Sequence, residues 1–280
     1  MPAAGIRTRM MIMITAMITV TTIIMKGTVM VMVVIAMTVD LRADAGRAAC
    51  DDLSLSEQGL ALLMIWLSPS YPVGAFSYSS GIEWAVEAGD LMDSDSLRGW
   101  LETMLTAGIG SSDAILFVHA YRATQSQNEA ALVEIAELSA AFQPSRERHL
   151  EATSQGRAFM EATRAAWPCD ALDRLAAVWG GPYTYSVAVA VACAGHRIAM
   201  PHALSAYLNA VVANWVSAAI RLIPLGQTAG QNVLRELQPA IRRTAQAALA
   251  ASLDDIGGAT FRADLASLHH ETQYTRLFRS

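Results

Sequence analysis

Beyond residue 54 the apolar positions recur with a helical period almost everywhere. Leu97, Trp100, Leu101, Met104 and Leu105 fall at i, i+3, i+4, i+7 and i+8, the spacing that lines one face of a helix, and Leu172, Leu175, Ala176 and Trp179 repeat it. Leu234, Leu237, Ile241, Ala245 and Ala248 form a third such stripe, with Arg235, Glu236, Arg242 and Arg243 opposite, which predicts an amphipathic surface helix. From Ala203 to Ile223 the chain is apolar nearly all round, with Leu204, Leu208, Val211, Trp215 and Leu222 on one stripe. This predicts a central helix ending where Pro224 removes an amide and restricts the residue before it. Ser54-Leu55-Ser56-Glu57 matches a capping box, and Asp170 stands before the helix bearing Trp179. Pro72, Gly74, Gly89, Pro144, Pro168, Gly180-Gly181-Pro182, Pro201 and Gly226 read as turn punctuation. No stretch of residues 54–280 alternates convincingly like a strand. The expected fold class is therefore all-α: a single-domain helical bundle of roughly nine or ten helices over residues 51–280, without a linker or repeat.

The first fifty residues differ in character. They hold most of the 14 Met and Lys26, the chain's one lysine, whereas every later cation apart from histidine is Arg. Residues 10–39 are apolar, Thr or small, broken by Lys26 and Gly27, so a membrane span or a signal segment is the literal reading. A central Lys costs about 2.5–3.5 kcal/mol in a span. Arg7 and Arg9 with Ala43-Asp44-Ala45 imitate a secretory signal, but the small-residue site lies far past the apolar stretch. The preferred expectation is that residues 1–50 are a Met/Thr-rich leader outside the working fold, with the true start near residue 50.

The formal net charge is −5, and the excess acid lies after residue 50. Such a surface repels phosphate backbones and argues against nucleic acid as a partner. Three cysteines, Cys50, Cys169 and Cys193, make no C-x-x-C pair and are too few for a disulfide framework, which points to a reducing cytoplasm. With no Lys after Lys26 there is no Walker A loop in the helical part, and G-x-G-x-x-G, G-x-S-x-G and H-E-x-x-H are all missing. No catalytic residue and no resident metal or cofactor are expected. His269-His270 would bind metal only with a partner's help, and an acid–base pair of Glu83 with Asp113 competes with ordinary helix-dipole roles.

Three stretches stand out as binding candidates. Leu67 to Ile82 has no charge but holds Tyr71, Phe76 and Tyr78 among five serines, with Pro72 and Gly74 fixing its shape. Phe76 is expected to point inward and Tyr71 and Tyr78 outward. Arg221 through Pro224, Gly226, Gln227, Gly230 and Gln231 form a helix end followed by two Gly-Gln pairs, offering close backbone approach and neutral hydrogen bonding. The chain end, His270-Glu271 with Tyr274, Arg276, Leu277, Phe278, Arg279 and Ser280, mixes the aromatic and Arg side chains that dominate interfaces. Tyr274, Leu277 and Phe278 are spaced either to dock a partner or to form one face of a last helical turn against the protein's own core.

Together these stretches resemble the UreF family of urease accessory proteins. Leu67-Ser68-Pro69, Pro72-Val73-Gly74-Ala75-Phe76-Ser77-Tyr78-Ser79 and Gly81-Ile82-Glu83 look like its N-terminal signature, Arg221 to Gln231 its second motif, and His270-Glu271 with Tyr274 to Ser280 its terminal one. The similarity runs from about Leu60 to Ser280. It implies a dimer-forming, cytoplasmic, non-enzymatic protein that helps install nickel in apo-urease, bridging a UreD/UreH-type scaffold and the GTPase UreG. Nickel and GTP would be handled by those partners. Two alternatives are a GTPase-activating role through Arg221, Arg276 or Arg279, and a helical membrane protein anchored by residues 10–39.

Overall fold

The computed structural model describes residues 14–25, 28–39 and 55–280. The chain divides into two units with the boundary between Asp52 and Leu53. In the first, β1 (Ile14–Met25) and β2 (Thr28–Val39) pair antiparallel, in a register running from Ile14 opposite Val39 to Met25 opposite Thr28. Of the apolar stretch 10–39, residues 10–13, 26 and 27 lie outside the described residues, and residues 14–25 and 28–39 are extended. Their Thr, Val and Ile content favours the extended backbone. The expectations resting on Arg7, Arg9, Lys26, Ala43-Asp44-Ala45, Cys50 and Ser54 lie outside the described residues.

The second unit is all-α, with no strand among its described residues. Eleven helices follow one another: α1 (Glu57–Trp66), α2 (Ile82–Glu87), α3 (Ser94–Ala107), α4 (Ile109–Gln125), α5 (Glu129–Ala141), α6 (Arg146–Ala166), α7 (Asp170–Val178), α8 (Tyr185–Gly195), α9 (Met200–Ala219), α10 (Gln227–Ala250) and α11 (Phe261–His270). Short 3₁₀ turns lie at Ala75–Ser77 and Leu253–Asp255.

The ends of the helices follow from their capping residues. Ser56 caps α1, its Oγ accepting the Gly59 N–H at 3.0 Å. Asp93 and Ser96 form a reciprocal capping box on α3. Pro201 sits in the first turn of α9, where its missing N–H costs nothing, and not between helices as the punctuation implied. Pro239 lies inside α10 without ending it. The Gln238 side chain there donates to Asn209 Oδ1 on α9 at 2.7 Å.

Residues Ser186 to Ala194 of α8 are buried without a gap, and α4 and α6 pack against this apolar rod. The stretch from Ser94 to Gln125 is apolar and long enough to cross a membrane by composition alone, but most of it is buried against the protein's own core. Helices α2, α6, α9 and α11 bring their ends to one region of the bundle, and the chain terminus lies among them.

Candidate functional site

The site begins at a sharp turn. Ser80 and Gly81 both take left-handed backbone, with φ of 56° and 81°. A Cβ on Gly81 would stand 2.8 Å from the Ser267 main-chain nitrogen, so only glycine lets α2 start directly against α11. This turn directs Glu83, in the first turn of α2, inward to a position where it is only 7% exposed.

There its carboxylate accepts the main-chain N–H of Leu277 at 2.6 Å and of Phe278 at 3.0 Å, together with His270 Nε2 at 2.9 Å. His270 is wholly buried, and its Nδ1 bonds Glu147 at the start of α6. The other Glu147 oxygen accepts from Arg276 Nη1 at 2.6 Å. A carboxylate oxygen faces each ring nitrogen, so the His270 ring bridges Glu83 and Glu147. Two buried carboxylates thus share one imidazole and one guanidinium, and each of the four side chains has a partner.

The last two residues are fixed as tightly. Arg279 N–H donates to the Ser77 carbonyl at 2.8 Å, and Ser79 N–H to the Ser280 carbonyl at 2.6 Å. Ser280 Oγ donates to Glu151 Oε2 at 2.8 Å. Glu151 is paired with Arg148 one turn earlier on α6, both nearly fully buried. The Ser80 hydroxyl joins this pair, accepting from Arg148 and from Trp215 Nε1 while donating to Glu151. Arg221 completes the arrangement from beyond the end of α9. Its guanidinium lies 3.7 Å from the centre of the Phe76 ring and 4.3 Å from that of Phe278, and it donates to the Phe76 carbonyl at 2.9 Å.

The first and last sequence motifs and Arg221 are therefore one physical object. The remainder of the second motif is not part of it. Gly226, Gln227 and Gln231 are exposed at the start of α10. Gly230 is buried where a Cβ would press on Ile220 and Val216, so it serves the packing of α10 on α9. Pro72 and Gly74 are exposed, Gly74 in left-handed backbone, and shape the loop. Glu271 accepts the Arg146 N–H at 2.9 Å at the start of α6.

Three orientations differ from the sequence expectation. Phe76 points outward, 68% exposed, because Arg221 covers one face of its ring and supplies the cover that the core would have given. Tyr78, in extended backbone after the 3₁₀ turn, is buried at 3% exposure. Tyr71 is half-buried, its hydroxyl bonded to Thr163 at 2.8 Å and its ring against Phe159. Nor do Tyr274, Leu277 and Phe278 share a helical face. The helix ends at His270, and the Glu83 carboxylate holds the following chain in an irregular path that buries Phe278 and leaves Tyr274 and Leu277 at the surface.

Glu83 and Asp113 are no acid–base pair. Glu83 spends its oxygens on the tail, while Asp113 bonds Tyr207 and Ser186 beside a separate cavity. Among the described residues no three His, Cys, Asp or Glu side chains group as a metal site. His269 stacks on Trp84 with ring centres 5.0 Å apart. Glu147, Arg148 and Glu151, which complete the network together with Trp215 from the predicted central helix, were not singled out from the sequence. Their signal was the spacing of Glu147, Glu151, Gln155 and Phe159, a polar stripe continuous with the buried face of α6.

Residues 91–238 match the UreF family pattern. The chain is 59% identical over 230 residues to the urease accessory protein UreF of Bradyrhizobium diazoefficiens, covering 82% of this chain and 95% of that protein. It is 58% identical over 227 residues to the UreF of Rhodopseudomonas palustris strain HaA2, covering 80% and 96%. Similarity of that extent, together with an all-α fold in which the N-terminal and terminal motifs close on each other, establishes that this chain belongs to the UreF family of urease accessory proteins.

Proposed function

We propose that the helical unit acts as an adaptor in the maturation of urease, joining a UreD/UreH-type scaffold to the UreG GTPase while those partners carry nickel and GTP to apo-urease. One observation supports this most: a rigid, fully paired network of Glu83, His270, Glu147 and Arg276 holds exposed apolar side chains of the tail at the surface, with Leu277 66% and Tyr274 fully exposed. Exposed apolar groups on a pre-ordered backbone lose little entropy on docking, the condition for an interface anchor. The protein works in the cytoplasm as a homodimer, and it is not itself an enzyme.

The test is nickel-dependent urease activity in cells carrying the other genes of the native operon, with this chain absent, present whole, or present as residues 51–280. Activity that appears only when the chain is supplied supports the adaptor reading, and the shorter form reports on the leader. Activity that is independent of the chain contradicts it.

A second reading, stimulation of the partner's GTP hydrolysis, has one observation in its favour. Arg279 is exposed, and among the described residues only its main chain is engaged, whereas Arg221 is held between two rings and Arg276 is paired with Glu147. An arginine finger must be free to reach a phosphate. Loss of GTP turnover in Arg279→Ala with the complex intact supports this reading, and unchanged turnover removes it.

A further inference from the structure

A second feature adjoins the tail network and shares Phe76, Arg148, Glu151 and Trp215 with it. A cavity of about 190 Å³ opens among α4, α6, α8, α9 and the loop after α1. Pro69 and Phe76, both exposed, belong to its wall, so it reaches the surface. Its inner wall carries the aromatic rings of Tyr185, Tyr207 and Trp215 and three charged side chains, Asp113, Arg148 and Glu151.

The charges do not balance. Arg148 and Glu151 are paired with each other, which leaves Asp113 as the surplus. Asp113 has no ion-pair partner among the described residues and receives two long hydrogen bonds, from Tyr207 at 3.3 Å and Ser186 at 3.4 Å. Burial drives its pKa up to about 6, and the nearby Arg148 charge, already paired with Glu151, offsets this only in part. The Tyr185 ring packs on Tyr207, yet its hydroxyl has no partner among the described residues.

We infer that this cavity is a binding site for a small organic cation, an ammonium or guanidinium group on an apolar stem, with Asp113 as the counter-ion and Tyr185, Tyr207 and Trp215 as aromatic walls. A carboxylate among ring faces is the arrangement that recognises such cations, through Coulomb attraction strengthened by desolvation and through the ring quadrupoles. The alternatives fit less well. An anion meets the unpaired Asp113, a neutral apolar guest leaves that carboxylate uncompensated, and a divalent metal finds no third ligand. The cavity holds a group about the size of a lysine side chain. The cation could be a free amine or the side chain of a docking segment; both sources share the same chemistry.

Titration calorimetry of the full chain at fixed ionic strength tests the site, with n-butylammonium chloride, n-butanol and a short acetylated Gly-Lys-Gly amide as probes. Saturable binding of n-butylammonium at least tenfold tighter than n-butanol is expected, with at least a tenfold loss in Asp113→Asn. Ala210→Met, which narrows the cavity from α9, gives an independent loss in case the first variant folds poorly. Peptide binding tighter than the free amine assigns the site to a partner's side chain, and amine binding without peptide binding assigns it to a free amine. Equal affinity for n-butanol, binding unaffected by both variants, or no saturable binding of either cation would overturn the inference.

Discussion

Across 195 residues of sequence, the carboxylate of Glu83 accepts the main-chain N–H of Phe278 at 3.0 Å. That bond and its neighbour to Leu277 make the chain terminus part of the fold, where termini usually fray. Glu83→Ala strands two amide donors and the His270 Nε2 beside a buried site, at a cost of about 3–5 kcal/mol by comparison with broken buried pairs. The expected outcome is a lowered thermal midpoint and rapid carboxypeptidase removal of residues 271–280, with the core helices still present by circular dichroism.

Arg221→Ala removes the guanidinium from between Phe76 and Phe278. A cation–π contact on partly desolvated rings contributes about 1–2 kcal/mol. A loss of that size is expected in urea unfolding. Arg221→Lys should recover only part of it, because an ammonium lacks the planar stacking surface and does not reproduce the Nη1 bond to the Phe76 carbonyl.

Gly81→Ala combines a left-handed φ with a Cβ pressed on the Ser267 backbone, and no flexible side chain is available to yield. Strain of this kind costs about 1–3 kcal/mol before any packing shift. The measurable consequence is destabilisation well beyond that of Gly74→Ala, which has the same backbone region but open space around it.

Asp113 makes stability depend on pH with a definite sign. Burial raises its pKa from 3.8 to about 6 in the folded protein, so the folded state holds the proton more tightly than the unfolded chain. Its contribution is most favourable below pH 3.8 and is lost as pH rises through about 6. Asp113→Asn, which stays neutral, is expected to raise stability at pH 7 by up to about 3 kcal/mol, and the gain should shrink as pH falls toward 4. Denaturant midpoints of the two proteins between pH 4 and 8 measure it.

The helical architecture was legible because apolar period alone marks the faces that become α3, α7, α9 and α10. The candidate site was legible only as three separate stretches. Charge-free Leu67–Ile82 and the mixed tail stood out locally, but nothing local reveals that Glu83 reaches back to Phe278. The α6 residues were hidden for a different reason: nothing local marks the charged Glu147, Arg148 and Glu151 as buried, and their burial depends on pairing with His270, Arg276 and each other. Phe76 was misread for the same cause, since the cover on its ring comes from Arg221, far along the chain. Paired strands at Ile14–Met25 and Thr28–Val39 were missed because strong apolarity drew attention to a span and away from the β-branched composition.

The central claim is that the tail and loop present one pre-ordered docking surface, and it is tested most directly by the affinity of the full chain for the UreD/UreH-type protein of its own operon. Phe76→Ala, Tyr274→Ala and Leu277→Ala combined leave the buried network intact, so the thermal midpoint should stay within a few degrees of the parent. The account predicts that this folded variant binds at least a hundredfold more weakly and fails to support nickel-dependent urease activity. Parental affinity and full activity in the folded variant would contradict it.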